Sequence, residues 1–199
     1  MNYGAKENMV TPFLSSERLI LRALEESDAD GDYPGWLNDE EVNRGNAHHR
    51  DPYTRELALE YIRRVRDSQR ELVLAMTLKD SGRHIGNIAL QKIDPVYRSA
   101  EFAILLGAKD LWGKGYAKEA GRILCDHGFL TLNLRRIHCG TFASNVAMQK
   151  LAEYLGMALE GRRRQAAFKD GLWLDIVEYG VLLDEYLDKF KISVESTED

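Results

Sequence analysis

Cysteine is scarce in this chain, since Cys125 and Cys139 are the only two among 199 residues. A disulfide framework needs more cysteines, and the chain has neither a CxxC pair nor the ligand spacing of a zinc site. We therefore interpret both cysteines as small buried apolar residues, which fits a reducing compartment.

Long apolar runs are also missing. No stretch approaches the ~18 consecutive apolar residues that indicate a membrane span. The polar leader, residues 1–13, lacks the apolar core of a signal peptide. We expect a cytoplasmic protein with no membrane partner.

A basic excess is the third absence, because the formal net charge is -5. Nucleic-acid-binding domains usually carry a positive balance, so no nucleic-acid partner is expected. The run Arg162–Arg164 is interpreted as a solvated strand edge, or as a holder for an acidic acceptor. The pair His48-His49 lacks two further ligands at fixed spacing, so no metal site is expected.

What the sequence does contain is the pattern of one mixed α/β domain. We expect a single domain over residues 14–190, followed by a polar tail at 191–199. Strand-like runs and helical periods alternate in the order strand, helices, three strands, helix, strand, helix and two strands. The predicted strands are 18–24, 72–78, 85–93, 100–106, 136–141, 157–166 and 172–183; the predicted helices are 28–37, one capped by Thr54, 113–130 and 145–155.

A strand-to-loop-to-helix segment carries the clearest chemical signal. Gly113-Lys114-Gly115 opens a helix directly after the strand that ends at Leu106. A helix start leaves backbone N–H groups unpaired and carries the positive end of the macrodipole, so it suits a pyrophosphate. The alternative is that the glycines only make a tight turn. The segment is neither a Walker loop nor a full GxGxxG fingerprint.

This segment, Trp112-Gly-Lys-Gly-Tyr-Ala117, resembles the acetyl-CoA motif of the GNAT (Gcn5-related N-acetyltransferase) superfamily. Trp112 departs from the usual Gln or Arg, as in the RimJ/RimL-like branch of ribosomal-protein and amino-sugar acetyltransferases. Three further landmarks follow the family order: Arg18–Arg22, Trp36–Val42, and Asn145–Met157 with Met157 in place of Phe. The resemblance covers about Leu14 to Tyr186 and implies a splayed mixed sheet of about seven strands flanked by helices.

The resemblance also implies which residues bind acetyl-CoA, the expected co-substrate. The strand ending at Leu105 and Leu106 is expected to pair with the pantetheine arm near the thioester, where a backbone N–H stabilises the developing oxyanion. Asn145 is expected to bond the arm and Lys150 to reach the phosphate end. The residues expected at the pyrophosphate are Trp112, Gly113, Lys114, Gly115, Tyr116 and Ala117.

The catalytic candidates are a base and an acid. Direct transfer requires a neutral amine, so a carboxylate is the natural base, acting directly or through water. Glu101 is the first candidate because it begins the cofactor strand, although a solvated strand-end carboxylate is an equal alternative; Asp175 is a weaker candidate, as is Glu178. Many family members place a tyrosine acid where this chain has Ala152, and Tyr179 is the proposed substitute.

The acceptor is left open between a protein N-terminus and a small amine such as an amino sugar or polyamine. Trp36, Asn38, Asn43 and Arg44 precede or begin the irregular segment expected to wall the acceptor pocket, although Trp36 is equally compatible with the core. A homodimer is possible. The alternative from another class is a non-catalytic acyl-CoA-binding module, which the missing tyrosine at position 152 keeps open.

Overall fold

The computed structural model describes residues 12–193. The strands are β1 Leu14–Ser15, β2 Leu19–Ala23, β3 Leu72–Leu78, β4 His84–Asp94, β5 Ser99–Leu106, β6 Arg136–Phe142, β7 Ala158–Lys169 and β8 Leu172–Leu182. The helices are α1 Tyr33–Asn38, α2 Glu40–Asn43, α3 Arg55–Arg66, α4 Tyr116–Leu130, α5 Val146–Tyr154 and α6 Leu183–Phe190, with 3-10 turns at Glu26–Asp30 and Lys109–Leu111.

Within the described residues the strands form one sheet in the order β1-β2-β3-β4-β5-β6-β8-β7. Neighbouring strands are antiparallel except β5 and β6, which are parallel. The parallel pairing runs only from Ser99 opposite Arg136 to Glu101 opposite His138, whereas β5 continues to Leu106 and β6 to Phe142. The two strands therefore part in the middle of the sheet.

The alternation of side chains along β5 sends its residues to two separate cores. Phe102 and Ile104 pack with the residues of α4 and α5 on one face. Ala103 and Leu105 face the opposite side, where α1 and α3 cover the sheet. Both faces of the central strands are thus covered, and the gap between β5 and β6 opens between the two layers.

The sequence predicted most of these elements, and three of its predictions differ from the structure. The sheet of the described chain has eight strands rather than about seven, because Leu14–Ser15 adds a short edge strand. The predicted helix 28–37 is a 3-10 turn followed by α1, separated near Gly31, and the helix predicted from Gly113 begins only at Tyr116.

Two helices were not predicted. Helix α2 has only four residues, too few to show a period, and is capped by Asp39 inside a polar stretch interpreted as irregular. Helix α6 follows β8 directly, with no turn residue to mark the boundary. Residues 1–11 of the predicted leader and 194–199 of the predicted tail lie outside the described residues, and the domain boundaries stay a prediction. Among the described residues, no helix has the length and apolar character needed to cross a bilayer.

A buried ion pair joins β2 to the 3-10 turn that precedes α1. The Arg22 guanidinium donates to both Asp28 carboxylate oxygens, at 2.8 and 2.6 Å, and the backbone N–H of Glu25 donates to the same carboxylate. Burial alone would raise the pKa of Asp28, but the hydrogen bonds from Arg22 and His84 outweigh it and hold that pKa well below its ordinary value. The pair fixes where the chain enters the layer of α1 and α3.

Removing one partner of this pair tests its role. We expect Asp28→Asn to lower the free energy of unfolding by about 3 kcal/mol at pH 7, because it leaves Arg22 buried without its counter-charge. Since the folded-state pKa of Asp28 is depressed, its contribution is present above the ordinary carboxyl pKa of ~4 and is lost as the pH falls below it. Urea titrations at pH 7 and in acid should show the difference from the wild type narrowing in acid.

The matched control is Asp30→Asn, which removes an equivalent carboxylate from an exposed pair with Arg55. We expect no measurable loss, because solvent-exposed ion pairs contribute little. Equal destabilisation by the two substitutions would contradict the special role of the buried pair.

Candidate active site

The loop between β5 and α4 presents an anion-binding helix start. Gly115 is the N-cap residue of α4 with φ 87°, and Gly113 has φ 75°, both in the left-handed region that favours glycine. The first bond of the helix is donated by Glu119 N–H to the Gly115 carbonyl. The N–H groups of Tyr116, Ala117 and Lys118 precede it and have no partner within the helix, so the loop fits a pyrophosphate.

Arg18, at the start of β2, holds this loop in shape. Its guanidinium donates to the Lys114 carbonyl at 3.1 Å, pairs with Glu119 at 2.6 Å and lies 4.2 Å from the centre of the Tyr116 ring. The sequence marked Arg18 only as part of the first landmark. Its role required knowing that β2 and α4 pack side by side.

The Trp112 side chain is hydrogen-bonded to the end of β5. Its indole N–H donates to the Leu106 carbonyl at 2.8 Å, although the side chain stays partly exposed. Lys114, Lys118 and Lys150 are exposed, and the Lys118 ammonium lies 4.9 Å from the centre of the Tyr154 ring. Lys114 and Lys118 therefore provide positive charge around the helix start, whereas Lys150 lies on α5.

The backbone N–H and C=O groups of successive β5 residues point alternately towards β4 and towards the gap between β5 and β6. The N–H of Gly107 donates to the Ile85 carbonyl and Asn87 lies opposite Leu105, so the hydrogen-bonded pairs of the antiparallel ladder include Leu105. The N–H and C=O groups of Ile104 and Leu106 consequently point towards the gap, and the Leu106 carbonyl indeed accepts from Trp112. Because the backbone of Leu105 is bonded to β4, only its side chain is free to make the predicted cofactor contact.

A cleft of about 460 Å³ opens from this gap onto the face covered by α1 and α3. Its floor follows β4 and β5, with Asn87 opposite Leu105 at one end, Ala89 opposite Ala103 in the middle and Gln91 opposite Glu101 at the other end. Four residues of strand separate the two ends, or ~13 Å. Its walls include Tyr33, Tyr53 and Tyr61 and the segment Gly45–His48.

Of the four catalytic candidates, the structure brings only Glu101 to the cleft. Its side chain is a quarter exposed and pairs at 2.6 Å with Lys92, which is 78% exposed. Asp175 lies outside the cleft lining, because it pairs with Arg162 and accepts from the Gln165 N–H; both interactions lower its pKa, the backbone bond more strongly.

The proposed acid also lies elsewhere. Tyr179 is buried on the face of α5, where its hydroxyl donates to Gln149 Oε1 at 3.3 Å. Its neighbour Glu178, on the cleft face, pairs with Arg163 at 2.7 Å. Ala152 is fully buried, and Tyr154 faces Phe190 and Lys118. The structure therefore brings neither tyrosine to the cleft.

The predicted acceptor residues lie outside the lining of the cleft, and three of them contact residues in or next to that lining. The Trp36 ring packs on the backbone of Gly107 and 5.0 Å from the His84 ring. Asn38 donates to the Tyr53 carbonyl and accepts from the Tyr53 N–H. Asn43 is fully buried and donates to the Trp36 carbonyl. These three residues are not among the lining residues, and neither is Arg44, which is exposed.

Two side chains fasten the wall segment Gly45–His48. The Lys169 ammonium donates to the backbone carbonyls of Asn43, Asn46 and His48 at 2.6, 2.9 and 3.4 Å. Asn145 caps α5 through its Oδ1, while its Nδ2 donates to the Gly45 carbonyl, and a Cβ at position 45 would overlap the Asn145 side chain. Asn145 thus lines the cleft and contacts its wall.

No metal centre forms in the part of the chain that the structure describes: no three His, Cys, Asp or Glu side chains come together there. His48 instead lines the cleft, and desolvation of its ring together with the Lys169 charge lowers its pKa. The sequence missed Asn87, Gln91 and the three tyrosines as cleft residues. Only the register of β4 with β5 and the fold of α1 over the sheet bring these residues together.

A parted parallel strand pair beside a helix start with free N–H groups fits an acyl-CoA-dependent acyltransferase, and the comparisons with known proteins show that class. The model of the acetyltransferase (GNAT) domain family matches residues 18–158. The chain belongs to this family. It has the GNAT fold and is an acetyl-CoA-dependent N-acetyltransferase, with acetyl-CoA as its co-substrate.

Three relatives illustrate the similarity. The uncharacterized N-acetyltransferase p20 of Bacillus licheniformis is 32% identical over 177 residues, covering 87% of this chain and 97% of that protein. The spermidine N(1)-acetyltransferase of Vibrio cholerae is 31% identical over 105 residues, covering 53% of this chain and 60% of that protein. The solved spermidine N-acetyltransferase from Vibrio cholerae in complex with CoA and spermine superposes with a TM-score of 0.78 at 25% identity, covering 86% and 99% of the two chains.

The Lys169 contacts generate a prediction about acceptor binding. Lys169→Met keeps the aliphatic stem but leaves three wall carbonyls without their charged donor. Hydrogen bonds to charged groups are the stronger kind, so we expect the acceptor KM to rise about tenfold, while the KM for acetyl-CoA changes little. Steady-state kinetics with each substrate varied in turn measures both constants.

The matched control is Lys189→Met. The Lys189 ammonium also donates to a backbone carbonyl, that of Glu153, but on the side of α5 and α6. We expect both KM values to stay at the wild-type level. An unchanged acceptor KM in Lys169→Met would show that the wall segment holds its shape without the lysine.

Proposed function

We propose that the acceptor is a small cationic primary amine rather than a protein N-terminus or a sugar nucleotide. The observation that carries this proposal is the charge of the cleft. Among its lining residues, within the described chain, Glu101 is the one carboxylate and no lysine or arginine is present. The lowered pKa of His48 keeps that imidazole neutral near pH 7.

This charge distribution separates the candidate acceptors. A sugar nucleotide or an acidic acceptor needs cationic partners for its phosphates or carboxylates, and the cleft offers none. A cationic amine finds Glu101, whose present partner Lys92 is exposed and easily displaced. Arg162 and Arg163, once candidates for holding an acidic acceptor, pair with Asp175 and Glu178 instead.

The size of the cleft also favours a small acceptor. A floor of ~13 Å accommodates a molecule of a few linked carbon and nitrogen atoms, and the pinned segment Gly45–His48 with the tyrosines encloses it. The similarity to spermidine acetyltransferases supports a polyamine as one member of this class. The four landmarks also support the RimJ/RimL-like branch, which we keep as part of the proposal, together with the possible homodimer and the cytoplasmic location.

We assign the following roles within the cleft. Acetyl-CoA supplies the activated acetyl group when bound. The pyrophosphate is expected on the N–H groups of residues 113–117, with Asn145 beside the arm and the Ile104 N–H facing the gap as the oxyanion donor. Glu101 is the proposed base. Glu101 lies three positions from Ile104, ~10 Å along the strand, so it acts through water.

No tyrosine acid is needed in this scheme. Ala152 is buried and Tyr179 faces α5, so the leaving thiolate takes its proton from solvent or from the amine. A thiol with a pKa of ~8.5 is a tolerable leaving group at neutral pH. The missing tyrosine therefore does not require the non-catalytic alternative.

The experiment is acetyl-CoA-dependent thiol release with a panel of diamines, polyamines, amino sugars and short peptides with free N-termini. We expect release with the small cationic amines and little with the peptides. Preferential acetylation of peptide N-termini would refute the small-amine proposal. Thermal stabilisation by acetyl-CoA without release from any acceptor would instead favour the non-catalytic module.

The base assignment is tested by Glu101→Gln. We expect kcat/KM for every acceptor to fall by about 10²–10³-fold, because general-base catalysis of this kind contributes that much. The loss should shrink as the pH rises and more of the amine is neutral. Thermal shift with acetyl-CoA should match the wild type.

The control is Asp175→Asn, since Asp175 is engaged with Arg162 and Gln165 outside the cleft. We expect its kcat/KM to stay within about twofold of the wild-type value. A large loss in Asp175→Asn, with Glu101→Gln unaffected, would transfer the role of base to Asp175.

A further inference from the structure

Asn87 is the buried polar side chain at the inner end of the cleft. It is 8% exposed, lines the cleft and lies directly opposite Leu105. Its Oδ1 is bonded to His84, but no hydrogen bond joins its Nδ2 to any other of residues 12–193. Among the described residues the fully buried side-chain atoms without a partner are Asn43 Oδ1 and His138 Nδ1, so Asn87 Nδ2 reaches the open cleft and is available to a molecule that enters it.

The orientation of this amide follows from its neighbour. Nε2 of His84 lies 2.8 Å from Asn87 Oδ1 and 2.9 Å from the Gly86 carbonyl oxygen. A carbonyl only accepts, so Nε2 carries a proton and donates. The Asn87 atom facing Nε2 must therefore be the oxygen, which leaves the NH₂ group for the cleft.

The imidazole is itself held in place. Its Nδ1 lies 3.3 Å from Asp28 Oδ1, and Asp28 is fixed by Arg22. The Trp36 ring packs against the edge of the imidazole at 5.0 Å. The chain of contacts from Arg22 through Asp28 and His84 to Asn87 prevents the amide from turning over when a substrate arrives.

From this geometry we infer that Asn87 is a specificity-determining residue that donates a hydrogen bond to an oxygen atom of the acceptor. The inference rests on the proposed function and narrows it: the preferred acceptor is a primary amine that also carries an ether, hydroxyl or carbonyl oxygen. Asn87 binds this oxygen at its end of the floor, beside Leu105, while Glu101 at the other end attracts the cationic amine and takes its proton through water.

An acceptor without oxygen lacks a partner for this donor. The ammonium groups of a protonated polyamine only donate hydrogen bonds, so the polyamine buries the Asn87 NH₂ group without satisfying it. Displacing the water from this donor without replacing its hydrogen bond costs binding free energy. A substrate oxygen that accepts the hydrogen bond recovers that cost. A simple diamine should therefore be the poorer substrate.

The test compares two acceptors of equal length and charge, 1,5-diaminopentane and bis(2-aminoethyl) ether, which differ by one CH₂ group replaced with oxygen. We expect the wild-type protein to favour the ether, by about tenfold in kcat/KM. Asn87→Asp preserves the bond from His84 and replaces the donor with an acceptor. We expect it to reverse the preference towards the diamine, with the KM for acetyl-CoA unchanged.

The readout is the change in the ratio of the two kcat/KM values between wild type and variant, because this cancels the intrinsic reactivities of the amines. His84→Phe keeps the ring packing but releases the amide, which can then present either atom. In His84→Phe we expect the ratio of the two kcat/KM values to fall to about the ratio of the intrinsic reactivities of the two amines. Both amines should still be acetylated. Thermal unfolding confirms that each variant is folded.

Three outcomes count against the inference in different ways. An equal fall of kcat for both acceptors in Asn87→Asp would assign Asn87 to the reacting carbonyl instead and overturn the specificity role. An unchanged ratio in both variants would show that Asn87 does not contact the acceptor. Release by the wild type with neither acceptor, but with peptide N-termini, would refute the proposed small-amine function itself.

Discussion

The parting of β5 from β6 after Glu101 and His138 is the constraint on which the rest of the site depends. Paired strands have no free backbone groups, and a closed sheet here would leave no room for a thioester. Because β6 diverges, the backbone groups of Ile104 and Leu106 face the gap instead of pairing with β6, and the cleft opens beside them. Buried clusters cover both faces of the sheet around this point.

The site is shaped largely by side chains that do not line it. Arg18 organises the loop between β5 and α4 from a neighbouring strand, and Lys169 fixes the wall segment Gly45–His48 from the β7–β8 hairpin. Asn38 and Asn43 hold backbone carbonyls of α1 and the following segments. This arrangement places polar donors where orphaned carbonyls would otherwise destabilise an irregular wall.

Much of this architecture follows from local pattern. The glycine turn Gly113–Gly115 before α4 is a short-range feature that the sequence located, although the helix itself begins only at Tyr116. Glu101 was found because it lies on the same strand as the gap. The sequence ranked Asp175 below Glu101 but could not exclude it, since its engagement depends on Arg162 across the hairpin. No local pattern in the sequence marked Asn87. Its place in the cleft follows from the register of β4 with β5, and its orientation follows from the hydrogen bond with His84.

That register restricts how such a site can diversify during evolution. A strand shifted by one residue turns every side chain to the opposite face, so a slip of β4 against β5 would exchange Asn87 and Gln91 for Ile88 and Leu90 at the floor. The irregularity in this pair lies between Gln91 and Asp94, beyond the cleft. Insertions and deletions are thus tolerable in the turn but not along the floor, and new acceptor preferences must arise there by point substitution.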